Sequence, residues 1–431
     1  MVLVFAEQST NRLNYVLQVW FQQLLNIPYR ITTDFQEFLR ADAVKINYSS
    51  LPTEEGLQIR PHGLLAQRGV QEVPFRVAVH QGLCKLFADE SGSYDPLAAT
   101  FFLITRYEEY LPFDPDRHGR FPDEANTLCR LNVAQQPLVH YYLDDVLQQL
   151  AQRYRSFAPS KPKFSFLLTY DIDVAYAYRF RPWWRTGAAF IRDVITGNFG
   201  AVKDRTMVLS GQRRDPYDTF DVQESLHQQF GLRPIYFFLV ANYGPFHKNI
   251  PWHAPQFSGL VQACARKGEV GLHAGYDASY DEKVLSEEKQ RLESLLKVPV
   301  RKNRFHFLRF RLPHSYRLLL KLGLIEEYSM GFATRLGFRA GIAAPFTWYD
   351  LQAECITPMR IVPIAVMDAT LYYHLKLGEH EALSATLRLL HTVRELGGQF
   401  QFLAHNDLLA DRYRWRSWSP CFRMLLEQAI L

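Results

Sequence analysis

The sequence predicts an α/β protein in two parts: a parallel sheet, either open or closed into a barrel, preceded by a smaller α/β module. Three observations carry this. After residue 163, short apolar runs recur and several are followed by helical periodicity, the pattern of strands alternating with helices. The first 157 residues begin with their own strand-like run and end in a helix-like one. Between the two lies Ala158-Pro159-Ser160-Lys161-Pro162-Lys163, a polar stretch with two prolines that reads as a linker. The expected division is therefore 1–157, 158–163 and 164–431, with a separate core in each of the two parts.

In the first module, Val2 to Phe5 is a short strand. Leu13, Val16, Leu17, Trp20, Phe21 and Leu24 then recur at helical spacing. A helix is expected over Pro96 to Tyr110 and another near Leu138 to Phe157. The turn-rich stretch Pro112 to Phe121 (PFDPDRHGRF) reads as a loop. In the second module the strand-like runs are Phe164 to Thr169, Pro234 to Val240, Glu269 to Leu272, Phe305 to Phe310, Ile361 to Met367 and Gln399 to Leu403.

Composition narrows the function. With 431 residues, 48% hydrophobic and 22% charged, the chain can bury a large core, which excludes a mainly disordered, collagen-like or coiled-coil protein. Forty-nine Lys and Arg against 44 Asp and Glu give a slight +5. The nearest basic clusters, Arg301 to Arg311 and Arg412 to Arg416, are interleaved with aromatic and apolar residues and read as packed arginines, so no nucleic-acid partner is expected. The five cysteines are odd in number, far apart and without a CxxC pair, so neither a disulfide framework nor a thiolate zinc site is indicated. The N-terminus lacks the features of a signal peptide, and no apolar run approaches the roughly 20 residues of a membrane span. A cytoplasmic, soluble protein is expected.

The strand ends carry the chemistry. Asp171 and Asp173 close the first run, His273 the third, Asp368 the fifth, and His405 with Asn406 the sixth; Arg304 and His306 flank or lie within the fourth. Reactive groups gather at the C-terminal ends of strands in barrels, and each ionisable group there costs desolvation unless paired. That pattern favours an enzyme. Residues two apart on a strand face one side, so Asp171 and Asp173 can converge on a cation or a proton; solvated aspartates in a turn are the alternative. His273 and Asp277, four apart, would face one way on a helical turn and suit a first-row metal, or else form a cap beside a hydrogen-bonded histidine. His405 could protonate a leaving group or sit satisfied in the core. Asp368 could orient that imidazole or cap a helix, and Arg304 could hold Asp171 through a bidentate pair or lie at the surface. His247 and His253 lie in a Pro-rich loop. No G-x-S-x-G elbow, phosphate-binding loop or G-x-G-x-x-G is present.

Taken in order, these elements from about residue 164 to 410 resemble the NodB-homology polysaccharide deacetylases, carbohydrate esterase family 4, and within it a bacterial subgroup with an uncharacterised N-terminal domain. Thr169-Tyr170-Asp171-Ile172-Asp173 is similar to the family's first motif, His273 to its first metal histidine, and Leu403-Ala404-His405 to its last motif. Arg304-Phe305-His306 sits where the family has Arg-x-Pro, and Asp368 falls near the fourth motif. The chain departs from the pattern at Asp277, which replaces the second metal histidine, at His306, which replaces the proline, and at Ala404, where a leucine is common.

The resemblance implies a distorted (β/α) barrel and a metal-dependent N-deacetylase acting on an acetylated amino sugar or glycan precursor. Asp173, His273 and Asp277 would hold a divalent metal, Zn²⁺ first, Co²⁺ or Ni²⁺ next; if Asp277 instead caps the turn, His306 from the next strand or His247 from the preceding loop could supply the missing imidazole. Asp171 would be the base, tethered by Arg304, and His405 the acid, tuned by Asp368; His306 and Asn406 would face the carbohydrate or small-molecule substrate. The rivals are hydrolysis of another C–N bond on the same scaffold and a glycan-binding protein whose metal site has decayed.

Overall fold

The computed structural model describes residues 1–410 and 416–431. Most of the basic cluster Arg412 to Arg416 therefore lies outside the described residues. The described residues form a mixed α/β protein with three sheets. A four-stranded parallel sheet is built from β1 (Val2–Ala6), β2 (Tyr29–Thr32), β3 (Val44–Tyr48) and β4 (Leu57–Ile59), in the order β2-β1-β3-β4. A hairpin, β5 (Arg76–His80) and β6 (Leu83–Ala88), follows.

The main sheet comprises β7 (Ser165–Ile172), β8 (Ile235–Phe238), β9 (Glu269–Ala274), β10 (Lys302–Phe305), β11 (Glu326–Glu327), β12 (Phe346–Asp350), β13 (Cys355–Ile361), β14 (Val366–Met367) and β15 (Gln399–His405). All neighbours pair parallel except β12 with β13. The chain from β13 to β14 pairs with β11 through its first half and with β15 through its second. Between them, Ile364 N donates to Met330 O and Ala365 N to Gln401 O. That segment closes the curved sheet into a distorted barrel. β8 is buried at every position, as a strand covered on both faces must be.

Several elements depart from the sequence reading. The run Phe305 to Phe310 is not a strand: pairing stops at Phe305, and Phe307 and Leu308 take left-handed backbone conformations. Ile361 to Met367 is split between β13 and β14, because residues 362–365 cross the barrel wall. The helix from Pro96 ends at Ile104; Asp95 caps its start by accepting from Leu97 N and Ala98 N. The helix from Leu138 ends at Arg153.

Separate cores for the two parts were expected, and the structure corrects this. One apolar cluster runs from Val2, Trp20 and Leu103 through Phe338, Trp348 and Phe402. The reason is the segment 331–350, which packs under the N-terminal helices. Gly341, at φ +64°, lies against Leu103 and accepts from Val139 N. Buried Arg339 reaches Glu109 with two nitrogens at 2.9 Å, and Arg106 pairs with the same carboxylate at 2.8 Å. No strand pairing joins the two parts among the described residues. No described helix is long and apolar enough to cross a membrane.

Candidate active site

The C-terminal ends of β7, β9, β10 and β15 meet at one cleft of about 290 Å³, lined among others by Asp171, Asp173, His273, His306 and His405. Register brings them there: β15 sets His405 beside Asp171, and β10 sets Arg304 beside His273.

Asp171 is buried. Arg304, fully buried, crosses the barrel interior and donates from Nη1 to Asp171 Oδ1 and to Thr169 Oγ1, both at 3.0 Å. The contact runs through one nitrogen rather than as the expected bidentate pair. Arg304 Nε donates to Tyr328 O at 3.1 Å, and the guanidinium lies over the Phe237 ring. The carboxylate is held by a cation with little freedom to turn.

His273 Nδ1 lies 2.9 Å from Arg304 O. A carbonyl only accepts, so Nδ1 carries the proton, and in the neutral ring Nε2 presents a lone pair. That nitrogen is 3.0 Å from Asp173 Oδ1 and 3.6 Å from Asp171 Oδ2. His306 Nε2 approaches Asp173 Oδ2 at 3.3 Å. Asp173 Oδ1 and His306 Nδ1 are buried without a hydrogen-bond partner among the described residues. Burial works against charge on Asp173, yet the imidazoles of His306 and His273 hold its carboxyl well below the usual range. Lone-pair atoms facing one another at such distances require a positive charge between them, a proton or a metal ion. Asp173, His273 and His306 offer one ligand atom each, all within 4.8 Å of one another, a donor set that fits a divalent first-row ion.

This corrects the expected ligand set. Asp277 does not reach the cluster; it is exposed on the turn after β9. The i, i+4 argument assumed a helix, whereas His273 belongs to the strand and the turn starts beyond it. The turn is pinned by two acceptors: Glu288 takes Gly275 N at 2.7 Å, and His247 Nε2 takes Tyr276 N at 2.8 Å. Burial pushes the His247 imidazole down to about 4, which keeps that acceptor available. His306, expected to contact substrate, instead offers the third converging nitrogen, at the point where the left-handed residues Phe307 and Leu308 end β10.

Asp368 is fully buried. Its Oδ1 lies 2.7 Å from His405 Nδ1, its Oδ2 accepts from His405 N at 2.6 Å, and it also accepts from Ala369 N. Burial opposes charge on His405, but the Asp368 carboxylate outweighs it and lifts the imidazole well above its ordinary value. His405 Nε2 is left facing the cleft, 3.7 Å from Asp173 Oδ2. Asn406, expected at the substrate, turns away. Its Nδ2 donates to Val174 O and Tyr217 O, tying loops together behind the site.

The sequence reading missed Arg120. The loop PFDPDRHGRF reaches over the barrel mouth, and Arg120 lines the cleft while donating from Nη1 to Phe307 O at 2.6 Å. Asp116 holds its Nε at 2.8 Å. His118 packs beside Tyr276 and Phe307 in the same wall. Tyr373 and His374 also line the cleft.

Residues 2–155 match the model of a family of unknown function, DUF7033. No curated protein matches the chain. Among solved structures, the chain is similar to a protein from Mycobacterium smegmatis described as a polysaccharide deacetylase, with 13% identity over 63% of this chain and 86% of that one, at a TM-score of 0.43. It is also similar to the allantoinase Puue, with 11% identity, 62% and 83% coverage and a TM-score of 0.39. A third, from Pseudomonas aeruginosa PAO1 and also described as a polysaccharide deacetylase, has 11% identity, 62% and 83% coverage and a TM-score of 0.40.

Proposed function

We propose that the chain is a metal-dependent hydrolase of a non-peptide C–N bond that removes the acetyl group from an acetylated amino sugar. One observation carries this reading. His273, its Nδ1 committed to a carbonyl, aims Nε2 at Asp173 with His306 alongside, between a tethered carboxylate and an imidazole backed by Asp368. A structural cluster has no use for a cation site flanked by a base and an acid.

Asp173, His273 and His306 would hold the ion, with zinc the first candidate and cobalt or nickel the alternatives. When bound, such an ion supplies Lewis acidity toward a carbonyl oxygen. Asp171, fixed by Arg304, accepts the proton of the attacking water. His405, held through Nδ1 by Asp368, donates a proton from Nε2 to the departing amine. Arg120 and Phe307 wall one side of the cleft, so residues from the N-terminal part shape the site. The cleft volume lies at the small end of small-molecule pockets. The five free cysteines support a reducing, cytoplasmic setting. The division at residues 158–163 is kept as a proposed boundary between two units that share one core.

Metal analysis of the purified chain, followed by acetate release from N-acetylated sugars, tests the reading. A stoichiometric ion with acetate release supports it. A metal-loaded protein that releases ammonia or an amine from cyclic amides, and no acetate, would move the assignment to another C–N hydrolase. A protein with no affinity for zinc, cobalt or nickel would refute it.

A further inference from the structure

The helix Trp183–Ile195 is built inside out. Along WWRTGAAFIRDVI, residues 183, 184, 187, 190, 191, 194 and 195 fall within an arc of about 140° at 3.6 residues per turn. That arc is apolar apart from its glycine, and it faces outward. Trp183 is 85% exposed, Ile191 60% and Ile195 78%, and Phe199 at the start of the next helix is 68% exposed. Two charged side chains, Arg185 and Asp193, point inward. Buried Arg185 donates to the carbonyls of Asn249 and Lys248 at 2.8 and 2.7 Å and stacks over Tyr243. Buried Asp193 pairs with Arg205 and Arg192. A helix held to the body by its polar face leaves its apolar face for something else.

Charge says what that something is. Residues 179–209 carry six Lys and Arg against two Asp and Glu, nearly the whole excess of a chain with net charge +5. Arg179, Arg192 and Lys203 are exposed within this excursion. Two copies facing each other through this patch would bring like charges together, which disfavours self-association. Tryptophan at the edge of an apolar stripe flanked by cations is the composition of a helix lying in a bilayer interface. At thirteen residues, about 20 Å, the helix is too short to span.

We infer that the helix Trp183–Ile195, with Phe199 beside it, docks the protein onto the surface of an anionic phospholipid bilayer. Its anchor places the contact near the candidate site. Asn249 accepts from Ala175 N and donates to the carbonyls of Ile172 and Leu239, so the helix is fastened to the end of β7, whose Asp171 lines the cleft, and to the end of the neighbouring β8. The inference does not depend on the reaction.

Flotation of the full chain with phosphatidylcholine vesicles, with and without phosphatidylglycerol, tests it. Binding is expected to the anionic vesicles, weakening as salt is raised. Trp183→Glu combined with Ile191→Glu and Ile195→Glu should reduce it about tenfold or more. The three side chains are exposed, so thermal unfolding should not change; the single variant Ile195→Glu should give a smaller loss in the same direction. No partition onto anionic vesicles, or partition kept by the triple variant, would overturn the inference. A dimer that the triple variant dissociates, without vesicle binding, would assign the face to a second copy and also overturn it.

Discussion

Asp368 holds His405 at two points, taking its backbone N–H at 2.6 Å through Oδ2 and facing its ring Nδ1 at 2.7 Å through Oδ1. The ring is thus fixed in position and in tautomer, with Nε2 left for the cleft. Asp368→Asn keeps the size of the side chain but loses the negative charge that favours a proton on the imidazole. Turnover should fall about 10²–10⁴-fold with little change in bound metal. Acetate release measured beside metal content checks this; a variant that loses both together would show that Asp368 supports the metal cluster instead.

His306, and not Asp277, offers the third converging ligand atom. His306→Ala removes one of three converging ligand atoms and should weaken zinc binding more than about 100-fold. Asp277→Ala alters an exposed turn residue and should leave affinity within a few-fold. Competition titration against a chromophoric chelator separates them. Equal losses in the two variants would return Asp277 to the ligand set.

Why His306 was harder to read than Asp171 or His273 has a physical answer. Asp171, His273 and His405 sit at the ends of runs whose apolar character is local, so strand, end and polar residue are visible together. At β10 the apolar run Phe305 to Phe310 continues past the true end of the strand, and only the left-handed backbone at Phe307 and Leu308 breaks it. Neither residue is a glycine that would announce the break. The Asp277 expectation transferred a helical rule to a strand-to-turn junction. Arg120 was illegible for another reason: its contact with Phe307 spans 187 positions, and nothing near PFDPDRHGRF marks the far partner. Separate cores were expected because the Pro-rich linker is a local signal, whereas the packing of 331–350 under the N-terminal helices is not.

Arg120 supplies the next test. Its guanidinium lines the cleft, and its hydrogen bonds go to the Phe307 carbonyl and to Asp116. Arg120→Ala should raise KM about tenfold while kcat changes less, because a binding wall is lost rather than a group used in the transition state. Arg120→Lys should recover part of the loss, since it keeps the charge without the planar fork. Steady-state kinetics on one N-acetylated sugar decide it. A fall confined to kcat would place Arg120 in the chemistry.

His140 links the two parts of the chain and makes their union sensitive to pH. It is buried on the helix Leu138–Arg153, and its Nε2 accepts from Ala343 N at 3.1 Å, so the ring must stay neutral at that atom. Burial pushes its pKa down to about 4. In the unfolded chain a histidine titrates near 6.5. Above that value both states are neutral and no stability is lost. Below it the unfolded chain binds a proton that the folded chain refuses, so stability falls as pH drops from about 6.5 toward 4, by about 3 kcal/mol at most. Buried His227, also lowered to about 4 by burial, acts in the same window. His140→Gln removes one titrating group while offering a carbonyl acceptor to Ala343 N. The variant should be less stable than the parent at pH 7, where the native packing is intact, and should lose less stability between pH 6.5 and 4.5. Urea unfolding at a series of pH values measures both slopes, and parallel curves for parent and variant would show that His140 does not set the acid limit of this fold.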